Sequence, residues 1–174
     1  MNYGQIIRMD TANGPGFRVS LFVSGCSNHC EGCFQPQTWD RRFGFAFNHE
    51  AEDYLIDELK EPYHDGRLTI LGGDPFEIYN QGAVYSLMKR VVTELPRKNI
   101  WVYTGYLYED LINPNWHNYT IWTDSILYYA DVIVDGPFIL AQKDLRLRLK
   151  GSTNQRIIDM NKTRESGELT EWKG

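Results

Sequence analysis

The sequence predicts an α/β fold: a mostly parallel sheet with its helices outside. Three observations carry this. Short strand-like runs alternate with amphipathic helical stretches along the chain. The connections between successive strands each hold a helix, as right-handed crossovers between parallel strands require. The length of 174 residues leaves room for four or five strand–helix units, well short of a closed eight-unit barrel of about 250 residues. The expected architecture is a partial (β/α) barrel, open along one side. It is read as a single domain over residues 1–174, with a C-terminal extension from about residue 157.

The elements follow in order. Residues 17–24, FRVSLFVS, alternate with Phe17, Val19, Leu21 and Val23 on one side. Phe22 lies on the other side, so the strand is covered at least partly on both faces. Residues 50–60, EAEDYLIDELK, predict a helix with Ala51, Leu55 and Leu59 in one stripe. Acidic residues in its first turn suit the helix dipole, and Pro62 stops it. RLTIL at 67–71 is the second strand and runs directly into Gly72-Gly73-Asp74-Pro75. A helix from about Glu77 to Leu95 repeats Val84, Leu87, Met88 and Val91 at helical spacing and closes before Pro96. Gly82 weakens it by about 1 kcal/mol relative to Ala. IWVYT at 100–104 is the third strand, ending in Gly105-Tyr106. Short helices follow around 107–112 and 125–130. DVIV at 131–134 is the fourth strand and ends in Asp135-Gly136-Pro137-Phe138. Residues 156–160 and 168–172 are expected to pair as a hairpin around the Glu165-Ser166-Gly167 turn.

Composition narrows the function classes. Hydrophobic residues at 42% and charged residues at 24% are ordinary for a soluble globular chain. The net charge is −5, and no stripe of Lys and Arg dominates a segment, which argues against nucleic-acid binding. No apolar run reaches the roughly 18 residues of a spanning helix, so no membrane partner is expected. The first ten residues, MNYGQIIRMD, lack the basic-then-apolar pattern of a signal peptide. The three cysteines fall within eight residues, a poor disulfide framework, so a reducing, cytoplasmic compartment is expected.

Those cysteines form Cys26-Ser-Asn-His-Cys30-Glu-Gly-Cys33, a C-x-x-x-C-x-x-C run on a loop. Three thiolates so close together repel unless a cation or cluster neutralises them. A four-iron, four-sulfur (4Fe-4S) cluster normally takes four cysteines, and this chain has no fourth, which leaves one iron open to a non-protein ligand. A zinc site completed by His29 or another histidine is the alternative, as are unmetallated cysteines. The cysteine loop, Gly72-Gly73-Asp74-Pro75, Thr104-Gly105-Tyr106 and Asp135-Gly136-Pro137-Phe138 each follow the carboxyl end of a predicted strand. In a parallel sheet those ends share one edge, where α/β proteins bind ligands. Thr104-Gly105-Tyr106 and Asp135-Gly136-Pro137-Phe138 are equally explained as tight strand-to-helix turns, whereas for Gly72-Gly73-Asp74-Pro75 the cysteine loop on the same sheet edge favours ligand binding over a turn alone.

The cysteine spacing resembles the cluster signature of the radical S-adenosylmethionine (SAM) enzymes. The longer stretch Gly25-Cys26…Cys30-Glu-Gly-Cys33-Phe34…Thr38-Trp39 resembles the activating proteins of anaerobic ribonucleoside-triphosphate reductase. So do Asn13-Gly14-Pro15-Gly16 with Arg18, Gly72-Gly73-Asp74-Pro75, Trp101-Val-Tyr-Thr104-Gly105-Tyr106, Asp131-Val-Ile-Val-Asp135-Gly136 and Gly151-Ser152-Thr-Asn154-Gln155-Arg156. The wider superfamily often has an aromatic where Gly32 stands and Glu where Asp74 stands; Phe34 supplies an aromatic two places later.

The resemblance implies a radical-SAM-type partial barrel and a glycyl-radical-generating oxidoreductase. Cys26, Cys30 and Cys33 would hold the cluster, with SAM's amino and carboxylate groups on the open iron. Gly32, Phe34, Gly72, Gly73, Asp74, Thr104 and Gly105 would contact SAM, Asp74 accepting from its ammonium, with Trp39 shielding the site and Arg18 pairing with the cluster or a carboxylate. No general acid or base is assigned, because the cofactors carry the chemistry. The implied partners are the large reductase subunit, on which a glycyl radical would form, and a low-potential electron donor such as flavodoxin. The alternatives are activation of another glycyl-radical enzyme such as a formate lyase, small-molecule radical SAM chemistry, and a non-catalytic zinc-binding module.

Overall fold

The computed structural model describes residues 1–174. Seven strands form one sheet in the order β3-β1-β2-β4-β5-β6-β7. They are β1 (Asn2–Asp10), β2 (Arg18–Val23), β3 (Phe45–Ala46), β4 (Arg67–Gly72), β5 (Asn99–Tyr103), β6 (Val132–Asp135) and β7 (Arg156–Asp159). The helices are α1 (His49–Lys60), α2 (Ile78–Glu94), α3 (Tyr108–Leu111), α4 (Thr123–Tyr129) and α5 (Met160–Ser166).

The four strands predicted from sequence are the central parallel block β2-β4-β5-β6. The sheet as a whole is mixed rather than mostly parallel. β1 pairs antiparallel with both β2 and β3, and β7 pairs antiparallel with β6. The sheet ends in free edges and does not close into a barrel.

β1 escapes sequence reading for a physical reason. Its residues are only half-buried and its ladder with β2 shifts register twice, so no alternation survives. The expected hairpin at the C-terminus is corrected as well. β7 does lie beside residues 170–172, with Asp159 N–H donating to the Thr170 carbonyl and Trp172 N–H to the Ile157 carbonyl. The connection, however, is α5. Asp159 caps it by accepting from the Lys162 N–H at 3.0 Å, and Gly167 ends it at φ +74°, a left-handed conformation that glycine adopts without penalty.

The α1 start is set by Asn48, whose side chain accepts from the Ala51 N–H. α2 runs to Glu94 and stops short of Pro96. Leu55, Leu59, Leu87 and Met88 from these helices join Val19, Leu21, Ile70 and Val102 in one buried core. These strand residues all lie on one side of the sheet. The other side carries Trp101, Val132 and Val134 and faces loops instead of helices, which leaves a concavity above the parallel block.

Candidate functional site

Loops leave the carboxyl ends of β2, β4, β5 and β6 at one sheet edge, and together they line a cavity of about 490 Å3. Cys26, Cys30, Cys33 and Phe34 come from the first loop, Gly72, Gly73 and Asp74 from the second, and Thr104 and Gly105 from the third. Gly136 and Phe138 come from the fourth, and Leu145, Leu147 and Leu149 form part of the far wall. Of the residues predicted as cluster ligands or SAM contacts, Gly32 alone is not on the cavity wall. It makes the turn between Cys30 and Cys33 at φ +72°, where a Cβ would fall 2.9 Å from Leu140 Cδ1.

The cysteine loop is held by its own backbone. The Gly25 and Cys26 N–H groups donate to the Thr38 and Trp39 carbonyls, and the Cys33 N–H donates to the Cys30 carbonyl. Burial pushes the Cys26 thiol up to about 12, with the nearby Asp74 charge adding to it. Burial pushes Cys30 up as well. Such sulfurs stay protonated at neutral pH unless a bound cation makes them thiolates. No three His, Cys, Asp or Glu side chains converge closely enough to hold one metal ion. A single zinc needs that convergence; a cluster does not, because each cysteine ligates a different iron. His29 packs against Trp39 with ring centroids 4.8 Å apart and the rings tilted by 39°, and it does not line the cavity. The donor set, three separated thiols beside an open cavity, fits a 4Fe-4S cluster with one iron left for a small-molecule ligand.

Asp74 is 1% exposed and knots three loops together. Its carboxylate accepts from the Phe76 N–H at 3.0 Å, the Gly105 N–H at 2.8 Å, Thr104 Oγ1 at 2.9 Å and Asn28 Nδ2 at 3.1 Å. Burial pushes its carboxyl up to about 7 against the pull of those donors. Its oxygens are thus already engaged by the protein, in addition to facing the cavity. Gly73 also has a structural reason of its own. A Cβ there would sit 2.5 Å from the Gly25 carbonyl oxygen, so the absent side chain lets the cysteine loop pass. Phe34 is 62% exposed, rests on Phe138 with centroids 5.3 Å apart, and carries Lys143 Nζ 5.0 Å above its ring.

Two sequence expectations are corrected. Arg18 is fully buried but lies at the amino ends of the strands and is not on the cavity wall. It donates to Thr69 Oγ1, the Leu68 carbonyl and both oxygens of Asn99 and pairs with neither a carboxylate nor the cysteine site. Trp39 packs behind the cysteine loop on His29 and does not shield the cavity. Sequence reading missed Ser27, Asn28, Glu77 and Asn118. Glu77 Oε1 accepts from the Ser27 N–H at 2.7 Å, Ser27 Oγ at 2.6 Å and Tyr106 Oη at 2.9 Å, and Asn118 Nδ2 donates to Tyr106 Oη. Nothing in their spacing signals this; only the folded loops bring them together.

Comparison with known proteins agrees with this donor set. Residues 12–158 match the family described as a 4Fe-4S single cluster domain. The anaerobic ribonucleoside-triphosphate reductase-activating protein of Vibrio cholerae is 42% identical over 158 residues, covering 90% of this chain and 97% of that protein. Proteins of the same description from Enterobacteria phage T4 and Escherichia coli K12 are 38% and 36% identical, covering 90% and 89% of this chain and 93% and 96% of theirs. With that identity spread over nearly the whole length, and the three cysteines and four carboxyl-edge loops in place, the chain belongs to the family of anaerobic ribonucleoside-triphosphate reductase-activating proteins.

Proposed function

We propose that this protein activates an anaerobic ribonucleoside-triphosphate reductase, generating a glycyl radical on the large subunit by reductive cleavage of SAM at a 4Fe-4S cluster. The observation that carries the reading is the convergence of three cysteines, without a fourth, on a cavity walled by the Gly72-Gly73-Asp74 and Thr104-Gly105 loops. Cys26, Cys30 and Cys33 hold the cluster, and SAM occupies the cavity beside it. When bound, the two groups supply a one-electron cleavage yielding a carbon radical strong enough to take hydrogen from a glycine Cα.

The chain's own part is to bind, orient and exclude water. Gly72 and Gly73 keep the wall of the cavity low, Thr104 and Gly105 form its floor at the β5 end, and Phe34 with Phe138 gives it an apolar face. Asp74 holds these loops in register and presents its charge toward the ligand's ammonium. Gly32 shapes the cysteine turn. One sheet face free of helices supports a radical-SAM-type partial barrel whose open side a protein partner covers. A low-potential donor such as flavodoxin supplies the electron, and the reaction belongs to the cytoplasm. No helix is long and apolar enough to cross a membrane.

The test mixes the reconstituted protein, reductant and SAM anaerobically with the reductase, recording the radical doublet and 5′-deoxyadenosine together. A doublet that disappears when the partner's glycine is replaced supports the reading. Full-speed SAM cleavage without the partner, coupled to turnover of a small metabolite, refutes it.

A further inference from the structure

Glu77 is a buried carboxylate that the function proposed above does not use. It is 4% exposed and takes part in no ion pair, although ion pairs elsewhere on the surface are common. It occupies the N-cap position of α2, yet its side chain makes no cap hydrogen bond. It reaches across to the cysteine loop instead. Three donors meet its Oε1: the Ser27 backbone N–H, the Ser27 hydroxyl and the Tyr106 hydroxyl. Ser27 follows Cys26 directly, and Asn28, next along, is held by Asp74 and lies 3.7 Å from Cys26 Sγ. The backbone turn that aims Cys26 is therefore fastened by Glu77.

A carboxylate whose charge is offset only by hydrogen-bond dipoles also projects a negative potential onto its surroundings. In a low-dielectric interior such a charge disfavours adding an electron nearby. Cluster potentials respond to net charge and hydrogen bonding in just this manner.

We propose that Glu77 is a positioning residue for the cluster, fixing the Cys26-Ser27 turn while its charge holds the cluster's reduction potential low. The inference rests on the cluster reading above. Its test is a redox titration followed by electron paramagnetic resonance, with iron and sulfide analysis, on anaerobically reconstituted full-length protein. Glu77→Gln keeps an oxygen that can accept from the Ser27 N–H, so iron and sulfide content stays at the wild-type level while the midpoint potential shifts positive. Ser27→Ala removes a donor from the carboxylate at an exposed position, so its potential shifts in the opposite, negative direction. A purely structural role would loosen the turn in both variants and move both the same way. Unchanged potentials in both variants, or shifts of the same sign, overturn the proposal. A wild-type protein that takes up no iron and sulfide overturns the cluster reading itself, a separate outcome that appears before any variant is made.

Discussion

Replacing Asp74 by Ala removes the acceptor on which donors from three loops converge. Two of those donors, the Phe76 and Gly105 N–H groups, belong to the backbone and cannot turn away. Each buried donor left without a partner costs about 1–3 kcal/mol, so the pair costs roughly 2–6 kcal/mol. The Thr104 hydroxyl can rotate and the half-buried Asn28 amide can reach water, so these add little. The substitution also relieves the burial that pushes the Asp74 carboxyl up to about 7, which places the net loss in the lower half of that range, roughly 2–4 kcal/mol. At about 2–4 °C per kcal/mol for a chain of this size, Tm falls by roughly 5–15 °C. The assay is thermal unfolding of the metal-free chain followed by circular dichroism under anaerobic conditions. Asp74→Asn falls in between, because it retains one acceptor oxygen but turns an amino group toward a donor. A Tm of Asp74→Ala within about 2 °C of the wild type refutes the reasoning. If SAM affinity is then lost at unchanged Tm, the carboxylate serves the ligand and not the loops.

Further outcomes follow from the same contacts. Cys26→Ala, Cys30→Ala and Cys33→Ala each abolish iron and sulfide incorporation, because the chain holds no spare cysteine; elemental analysis of reconstituted protein checks this. Gly73→Ala lowers iron content as well as SAM binding, since the new Cβ presses on the Gly25 carbonyl beside Cys26; full iron loading would place the effect on the ligand alone. The Arg156 guanidinium pairs with both oxygens of Glu109 and holds its carboxyl down to about 2, from an ordinary 4.5. A depressed acid stabilises the fold above its unfolded pKa and loses that contribution as pH falls through the folded one. Glu109→Gln should therefore flatten the loss of stability between about pH 4.5 and 2, as read by denaturant unfolding across that range.

What the sequence discloses here depends on whether local chemistry carries the signal. The four parallel strands are legible because each is buried and β-branched and ends at a glycine or aspartate turn. α1 and α2 are legible from their apolar stripes and their stops. The cysteine site is legible from spacing alone, and the parallel order then places three further loops beside it. β1 is not legible, because its pairing rather than its composition makes it a strand. α5 is hidden because Met160–Ser166 has no apolar stripe long enough to read; its existence rests on the Asp159 cap and the Gly167 stop. Arg18 misleads for a related reason. A charged residue beside a glycine-rich turn reads as a ligand contact, but here the charge is spent on backbone and amide oxygens at the opposite sheet edge.

Asp74 and Glu77 together show why the site needs more than its ligands. They stand three residues apart at the start of α2 and grip two pairs of consecutive residues. Asp74 holds Asn28 and Gly105, while Glu77 holds Ser27 and Tyr106. Each carboxylate thus fastens the same cysteine turn to the same β5 loop. Releasing either one frees part of what the other restrains, so the second release costs less than the first. A double-mutant cycle with Asp74→Ala and Glu77→Ala, measured by urea unfolding of the metal-free chain, should be sub-additive by about 0.5–3 kcal/mol, the range seen for residues within one network. The same cycle with Asp74→Ala and Glu109→Gln should be additive, because Glu109 is tied to Arg156 and shares no partner with Asp74. Additivity within about 0.5 kcal/mol for the Asp74–Glu77 pair would mean that the two loops are fastened independently. In that case the cysteine turn would rest on two separate anchors, each carboxylate holding its own contacts without help from the other.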